Sequence, residues 1–159
     1  MGLVIGGLSN LDCARNGLTA SELDNYRTKF IDREHPLPGN GVSGCMLTGI
    51  AIADLIQANS RAAFALVVEP NTLPRMIDDG KLSGCESVIR AYRELVPYAI
   101  KKLNLPNAVV YLDMGHGGNL GMDGDTKAAA EEIATIFKAA GSPSQVRGFA
   151  TNVASYNSW

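Results

Sequence analysis

The sequence predicts an α/β fold, an incomplete β/α barrel of parallel strands, and three observations predict it. Apolar runs recur with helical segments between them, and they are almost continuous, as strands buried on both faces of a parallel sheet are. Three of these runs stop on acidic or amide residues: Leu3-Val4-Ile5 leads to Asp12-Cys13, Ala65-Leu66-Val67-Val68 to Glu69-Pro70-Asn71, and Val109-Val110-Tyr111-Leu112 to Asp113-Met114-Gly115-His116. Polar groups at the C-terminal ends of parallel strands are how a β/α barrel builds an active site.

Each element has its own signal. Leu3-Val4-Ile5 reads as a strand that begins abruptly. Thr19-Ala20-Ser21-Glu22 has the form of a capping box, and Leu23, Tyr26, Phe30 and Ile31 follow at helical spacing, so a helix is expected over 19–33. The run from His35 to Gly41, with two prolines and two glycines, breaks regular structure. Residues 42–59 are ambiguous, because Gly44 and Gly49 weaken an otherwise helical pattern. A buried strand is expected over 63–69. A helix over 86–104 follows, with Ile89, Tyr92, Leu95, Val96, Ala99, Ile100 and Leu103 on one face and Pro97 placed to kink or divide it. Residues 108–113 read as a strand, Asp125 as the cap of a helix stopped by Gly141 and Pro143, and 147–153 as the last strand. Four strands would leave a barrel with two open edges, and no covering helix follows the fourth, so the chain reads as part of a larger domain.

Composition narrows the function. A net charge of -2 gives no basic face for phosphates, so nucleic acid is not an expected partner. No apolar run approaches the roughly 18 residues that span a bilayer, and no membrane role is expected. The start of the chain has no charged leader or cleavage site. Three cysteines, Cys13, Cys45 and Cys85, do not by themselves fix a redox compartment.

Several longer motifs resemble family 6 of the glycoside hydrolases, the cellobiohydrolases and endoglucanases that cut β-1,4-glucan. The nearest is the stretch from Lys102 to Gly118, with its Asn104-Leu105-Pro106-Asn107 lead, strand and Asp113-Met114-Gly115-His116-Gly117-Gly118 turn. Ser142-Pro143, Val146-Arg147-Gly148, and Ala150-Thr151-Asn152-Val153-Ala154-Ser155-Tyr156-Asn157 are similar as well, as are Val67-Val68-Glu69-Pro70-Asn71-Thr72-Leu73 and Asp12-Cys13. The resemblance covers about residues 3–33 and 63–159 and treats 1–159 as a partial catalytic domain, with 34–62 as an atypical inserted segment.

That resemblance implies a distorted, TIM-like barrel, of which the first strand and the last few are missing here, and an inverting hydrolysis of cellulose. One carboxylic acid protonates the leaving oxygen while a carboxylate opposite activates water. The acid's position is occupied by Asn71, and the candidate base would lie beyond Trp159. Asp12 matches an aspartate that raises the acid's pKa and stabilises charge on the sugar ring. Glu69, Asp113, His116, Asn119, Asn152 and Asn157 fall at substrate-binding positions, with Asp113 and His116 matching residues that hydrogen-bond sugar hydroxyls. Gly6, Leu11 and Asn119 stand where the family has a tyrosine, an arginine and a stacking tryptophan. No cofactor is expected. A divalent cation on Glu69, Asp113 and His116 is a weaker reading, since His35, the other histidine, lies in the breaker segment.

Plainer roles compete at each position. Asp12 suits a strand-end turn, Asn71 with Pro74 suits a helix start, His116 suits a glycine-rich turn, and Asn152 and Asn157 suit loops that bond their own backbone. Cys13 and Cys85 match a disulfide pair of the family, which would close a loop of roughly 70 residues, contribute about 4 kcal/mol and imply secretion. Cys45 has no matching partner and is expected to be free. Alkylation without prior reduction, followed by peptide mass mapping, should label Cys45 alone; a bridge to Cys45 would contradict the assignment.

Overall fold

The computed structural model describes residues 1–8, 20–31, 52–79, 86–121 and 124–154. Four strands, β1 (Gly2–Ile5), β2 (Phe64–Val68), β3 (Ala108–Asp113) and β4 (Val146–Ala150), pair in parallel in the order β1-β2-β3-β4. The register sets Ile5 beside Val68, Val68 beside Leu112, and Asp113 beside Ala150, so the strands finish nearly level. This alignment brings the polar residues that follow each strand to one end of the sheet. Between β3 and β4 the register slips by one residue after Val110, and Gly148 takes a φ of 151° there, a conformation suited to glycine.

The helices are α1 (Ala20–Asn25), which continues as a π-helical stretch over Tyr26–Ile31, then α2 (Ile52–Ala58), α3 (Thr72–Asp79), α4 (Glu86–Lys102), α5 (Gly117–Leu120) and α6 (Asp125–Ala139). The strand residues in the core are Ile5, Phe64, Leu66, Val68, Ala108, Val110 and Leu112, which alternate onto one face. Helical residues such as Ile56, Leu73, Leu95, Ile100 and Ile136 cover that face. On the opposite face Val4 is 59% exposed, and Val67, Val109 and Tyr111 are half-buried. A parallel sheet wound in one direction with right-handed crossovers puts its helices on a single side, as in part of a barrel wall. Among the described residues the sheet does not close on itself: β1 and β4 are its edges.

Two expected strands match closely, with 63–69 observed as Phe64–Val68 and 108–113 as Ala108–Asp113. Pro97 does not divide α4, which runs as one helix from Glu86 to Lys102. A proline inside a helix costs about 3 kcal/mol, but Leu95, Val96, Ala99 and Ile100 are all fully buried around it. Burying such side chains is worth roughly 1.5–3 kcal/mol each, which outweighs the lost backbone bond. The helix expected over 19–33 is an α-helix only to Asn25; beyond that, the wider π turn buries both Tyr26 and Ile31, five positions apart.

Asp125 does not cap α6. The cap is Gly124, at φ 86° and without a side-chain bond, and Asp125 sits buried in the first turn, where its charge faces the positive end of the helix dipole. The C-terminus closes as expected: Gly141, at φ 87°, donates to Lys138 O and Ser142 to Phe137 O, ahead of Pro143. The last strand stops at Ala150, short of 153, because Asn152 turns to φ 59° and donates its amide to Gly115 O at 2.7 Å. Arg93 forks onto Glu132 with bonds of 2.8 and 2.7 Å, fastening α4 to α6. Among the described residues no helix is long and apolar enough to cross a membrane.

Residues 52–62, inside the segment expected to be an insertion, are integral to the core: α2 buries Ala53 and Ile56. The Asn107 amide secures them, donating to Ile56 O, Asn59 O and Ala62 O at 3.0, 3.3 and 3.1 Å. Residues 34–51 lie outside the described part. Asn107→Ala is expected to lower the unfolding free energy by about 1–3 kcal/mol in urea titrations, from the lost side-chain bonds, although Ile56 O and Asn59 O keep the backbone amides of Asn59 and Ala62 as donors. A loss under about 0.5 kcal/mol would show that water takes over those bonds.

Candidate functional site at the strand ends

The turn after β2 is the most constrained part of the sheet's C-terminal edge. Glu69 and Asn71 both adopt left-handed backbone, at φ 54° and 63°, which non-glycine residues rarely do. Such strain persists only where surrounding bonds enforce it, and here two carboxylates supply them. The Glu69 amide donates to Ile5 O at 2.7 Å. Its carboxylate turns inward, 0% exposed, and accepts from Gly7 N at 3.0 Å, Leu8 N at 2.8 Å and Tyr26 Oη at 2.8 Å. Burial raises the Glu69 pKa above its usual value, against the opposing pull of the Gly7, Tyr26 and Leu8 donors. The Tyr26 phenol is pushed well up by burial and then by the Glu69 charge.

Asp113 is the second carboxylate, 2% exposed at the end of β3. Its Oδ2 accepts from Asn71 N at 2.8 Å and Gly115 N at 3.1 Å, joining the turn after β2 to the turn after β3. Its Oδ1 is buried with no hydrogen-bond partner among the described residues. Burial raises the Asp113 pKa, while the Asn71 and Gly115 amides and the nearby His116 lower it. Tyr92, fully buried, has its phenol pushed up by burial and then by the charges of Glu69, Glu132 and Asp113.

His116 caps α5 with extended backbone, and its Nδ1 accepts from Gly118 N at 3.1 Å. The neutral ring then carries its proton on Nε2, which is left as a donor. A Cβ at position 118 would stand 2.8 Å from His116 Cε1, so the cap requires glycine there. Asn152 is exposed beyond β4, joined to the β3 turn by its bond to Gly115 O. The structure therefore gathers Asn71, Asp113, His116 and Asn152 at one edge of the sheet.

The other expected site residues fare differently. Glu69, expected at a sugar-contacting position, is shut beneath the surface with both oxygens engaged by the chain itself. Asn71 precedes α3 in a left-handed conformation, away from the extended backbone usual for a helix cap. Asp12, Cys13, Cys45, Cys85 and Asn157 lie outside the described residues, as does the Asn119 side chain, although its backbone is in α5. Tyr26, the partner of Glu69, reads in sequence only as one more residue of an apolar helical face. Its single hydroxyl is the sole hint of a polar role. No group of three or more His, Cys, Asp or Glu among the described residues is placed to hold a metal ion.

A parallel sheet whose strands end level on buried acids and strained turns is part of the wall of a β/α barrel. Residues 50–159 match the family described as glycosyl hydrolases family 6, and the chain belongs to that family. A 1,4-beta-D-glucan cellobiohydrolase, CEL6C of Podospora anserina, is 44% identical over 163 residues, covering 100% of this chain and 36% of the relative. The chain thus spans little more than a third of that protein. Cellobiohydrolase II (CEL6A) of Humicola insolens, solved with glucose and cellotetraose, superposes with a TM-score of 0.75 at 31% identity, over 99% of this chain and 40% of its own. Endoglucanase CEL6B of the same organism gives 0.73 at 29% identity, over 99% and 42%.

The two raised pKa values give a signed pH dependence. Above the ordinary values of 4.5 for Glu69 and 3.8 for Asp113, the folded chain holds protons that the unfolded chain has released. Their contribution to stability is complete below those values and is lost as pH rises through the raised ones. Urea unfolding between about pH 4 and pH 7 should therefore show a steeper fall in stability for the unsubstituted chain than for Asp113→Asn or Glu69→Gln. Equal slopes would count against both shifts.

Proposed function

We propose that this chain forms part of a cleft that binds β-1,4-glucan and, when its acid is present, hydrolyses it with inversion and without a cofactor. The observation that carries this reading is Asp113. One oxygen locks the turn that holds position 71, and the other is a buried acceptor with no donor among the described residues, of the kind a sugar hydroxyl satisfies. His116 Nε2–H supplies a complementary donor, and Asn152 adds a polar group along the same edge; Asn119 and Asn157 are assigned to substrate binding from the family resemblance alone. Asp12 is assigned the role of stabilising positive charge on the ring and raising the pKa of the acid. Glu69 is reassigned from sugar contact to support beneath the site. The cellobiohydrolase and endoglucanase relatives, and the cellotetraose bound to one of them, support the substrate class. A Cys13–Cys85 bridge and secretion belong to the same proposal, as does reading 1–159 as part of a catalytic domain.

Inverting hydrolysis needs a carboxylic acid that protonates the leaving oxygen while a separate carboxylate activates water. Position 71 occupies the donor's place, and its amide has no proton to give at ordinary pH. This observation favours a second reading, a glucan-binding relic with its groove kept and its turnover lost. Position 6 bears on the same choice. A Cβ there would meet the Pro70 ring at 3.4 Å, an ordinary contact, so the tyrosine the family carries can be introduced.

Reducing-sugar release from soluble β-1,4-glucan, together with cellotetraose binding, separates the readings. Asn71→Asp is expected to raise release by about 100-fold to 10,000-fold, the usual contribution of a general acid, with binding little changed. Binding by the unsubstituted chain, with no release from Asn71→Asp or from the Gly6→Tyr/Asn71→Asp pair, would show that position 71 is not what limits turnover in this chain. Absence of both binding and release would sink the glucan assignment.

A further inference from the structure

Glu69 takes no part in the chemistry above, yet three parts of the chain converge on it. Its backbone amide holds the exit of β2 to Ile5 at the end of β1. Its carboxylate accepts the next two inward-facing amides, Gly7 and Leu8, and the Tyr26 hydroxyl from the π-helical stretch after α1. Leu8 is itself 2% exposed, and the Pro70 ring lies against Gly6, so this exit is held by both packing and polar bonds. A leucine or methionine would fill the same space with less desolvation cost. What only a carboxylate adds is a pair of acceptors, one for the buried Leu8 amide and one for the part-buried Gly7 amide.

We propose that Glu69 is a positioning residue: it sets the height and direction of Gly7 and Leu8 as the chain leaves β1, and so how that exit stands beside the turn that carries Asn71 at the end of β2. The inference rests on the glucan-site reading for its functional consequence. Its structural content, that one side chain fixes the exit of the neighbouring strand, stands apart from the ligand. Glu69→Gln keeps the shape, but it offers one acceptor in place of two and turns an NH2 group toward a donor. Tyr26→Phe removes one donor and leaves both amide bonds in place.

Two measurements are paired: residue-resolved amide exchange of the free protein, and cellotetraose affinity of the folded fraction. For Glu69→Gln, exchange at Gly7 and Leu8 should rise by about 10-fold or more while the β3 amides are unchanged, and affinity should fall by about 10-fold. Tyr26→Phe should show the same pattern more weakly. A purely stabilising role predicts a different result: exchange that rises across the whole sheet in step with a lower Tm, and unchanged affinity once the protein is folded. That result would overturn the proposal. If the unsubstituted chain binds no cellotetraose, the glucan reading fails by itself, and exchange at Gly7 and Leu8 against β3 still decides the positioning role. Should Glu69→Gln not fold, the same exchange contrast in Tyr26→Phe decides it.

Discussion

A carboxylate taken out of water must be met by hydrogen-bond donors, and at this edge of the sheet the donors are backbone amides of neighbouring turns. Glu69 takes two from the exit of β1, and Asp113 takes one from the turn after β2 and one from its own. Each buried acid therefore dictates the course of a loop that packing alone would leave loosely defined. The sheet below provides level strand ends; the acids convert that level edge into turns of fixed shape. The arrangement is directional, since each carboxylate binds the strand exit beside it, and β1, β2 and β3 become linked in a row.

The cost of this linkage is visible in the backbone. Non-glycine residues in the left-handed region cost of order 1–3 kcal/mol when strained, and the turn from Glu69 to Asn71 holds two of them. Asparagine tolerates that conformation better than most residues, because its short polar side chain can bond locally. The amide at position 71 therefore suits the turn.

The sheet was legible in the sequence because its strands are apolar on consecutive residues and end abruptly on polar ones. That pattern located β2 and β3 to within a residue and placed the chemistry at their ends. The helices were legible from their spacing, but their boundaries depended on packing that spacing does not report: Pro97 is carried by the buried residues around it, and Gly124 rather than Asp125 caps α6. The end of β4 was overestimated because its fate depends on an amide-to-carbonyl bond with Gly115, a partner more than thirty residues earlier. The burial of Glu69 was not legible for a similar reason: the resemblance sets it at a substrate-binding position, whereas its partners, Gly7, Leu8 and Tyr26, come from far along the chain. The family resemblance singled out positions, while the fold shows which of their side chains are bound into the wall of the sheet.

The strict sequence order of the strands has a further consequence for how such a molecule can change over evolutionary time. Each strand joins the sheet beside the one before it, and none is inserted between earlier neighbours. Units can therefore be gained or shed at either flank without re-threading what remains, much as courses are added to a wall. A fold built this way can vary at its flanks while the middle of the sheet keeps its shape.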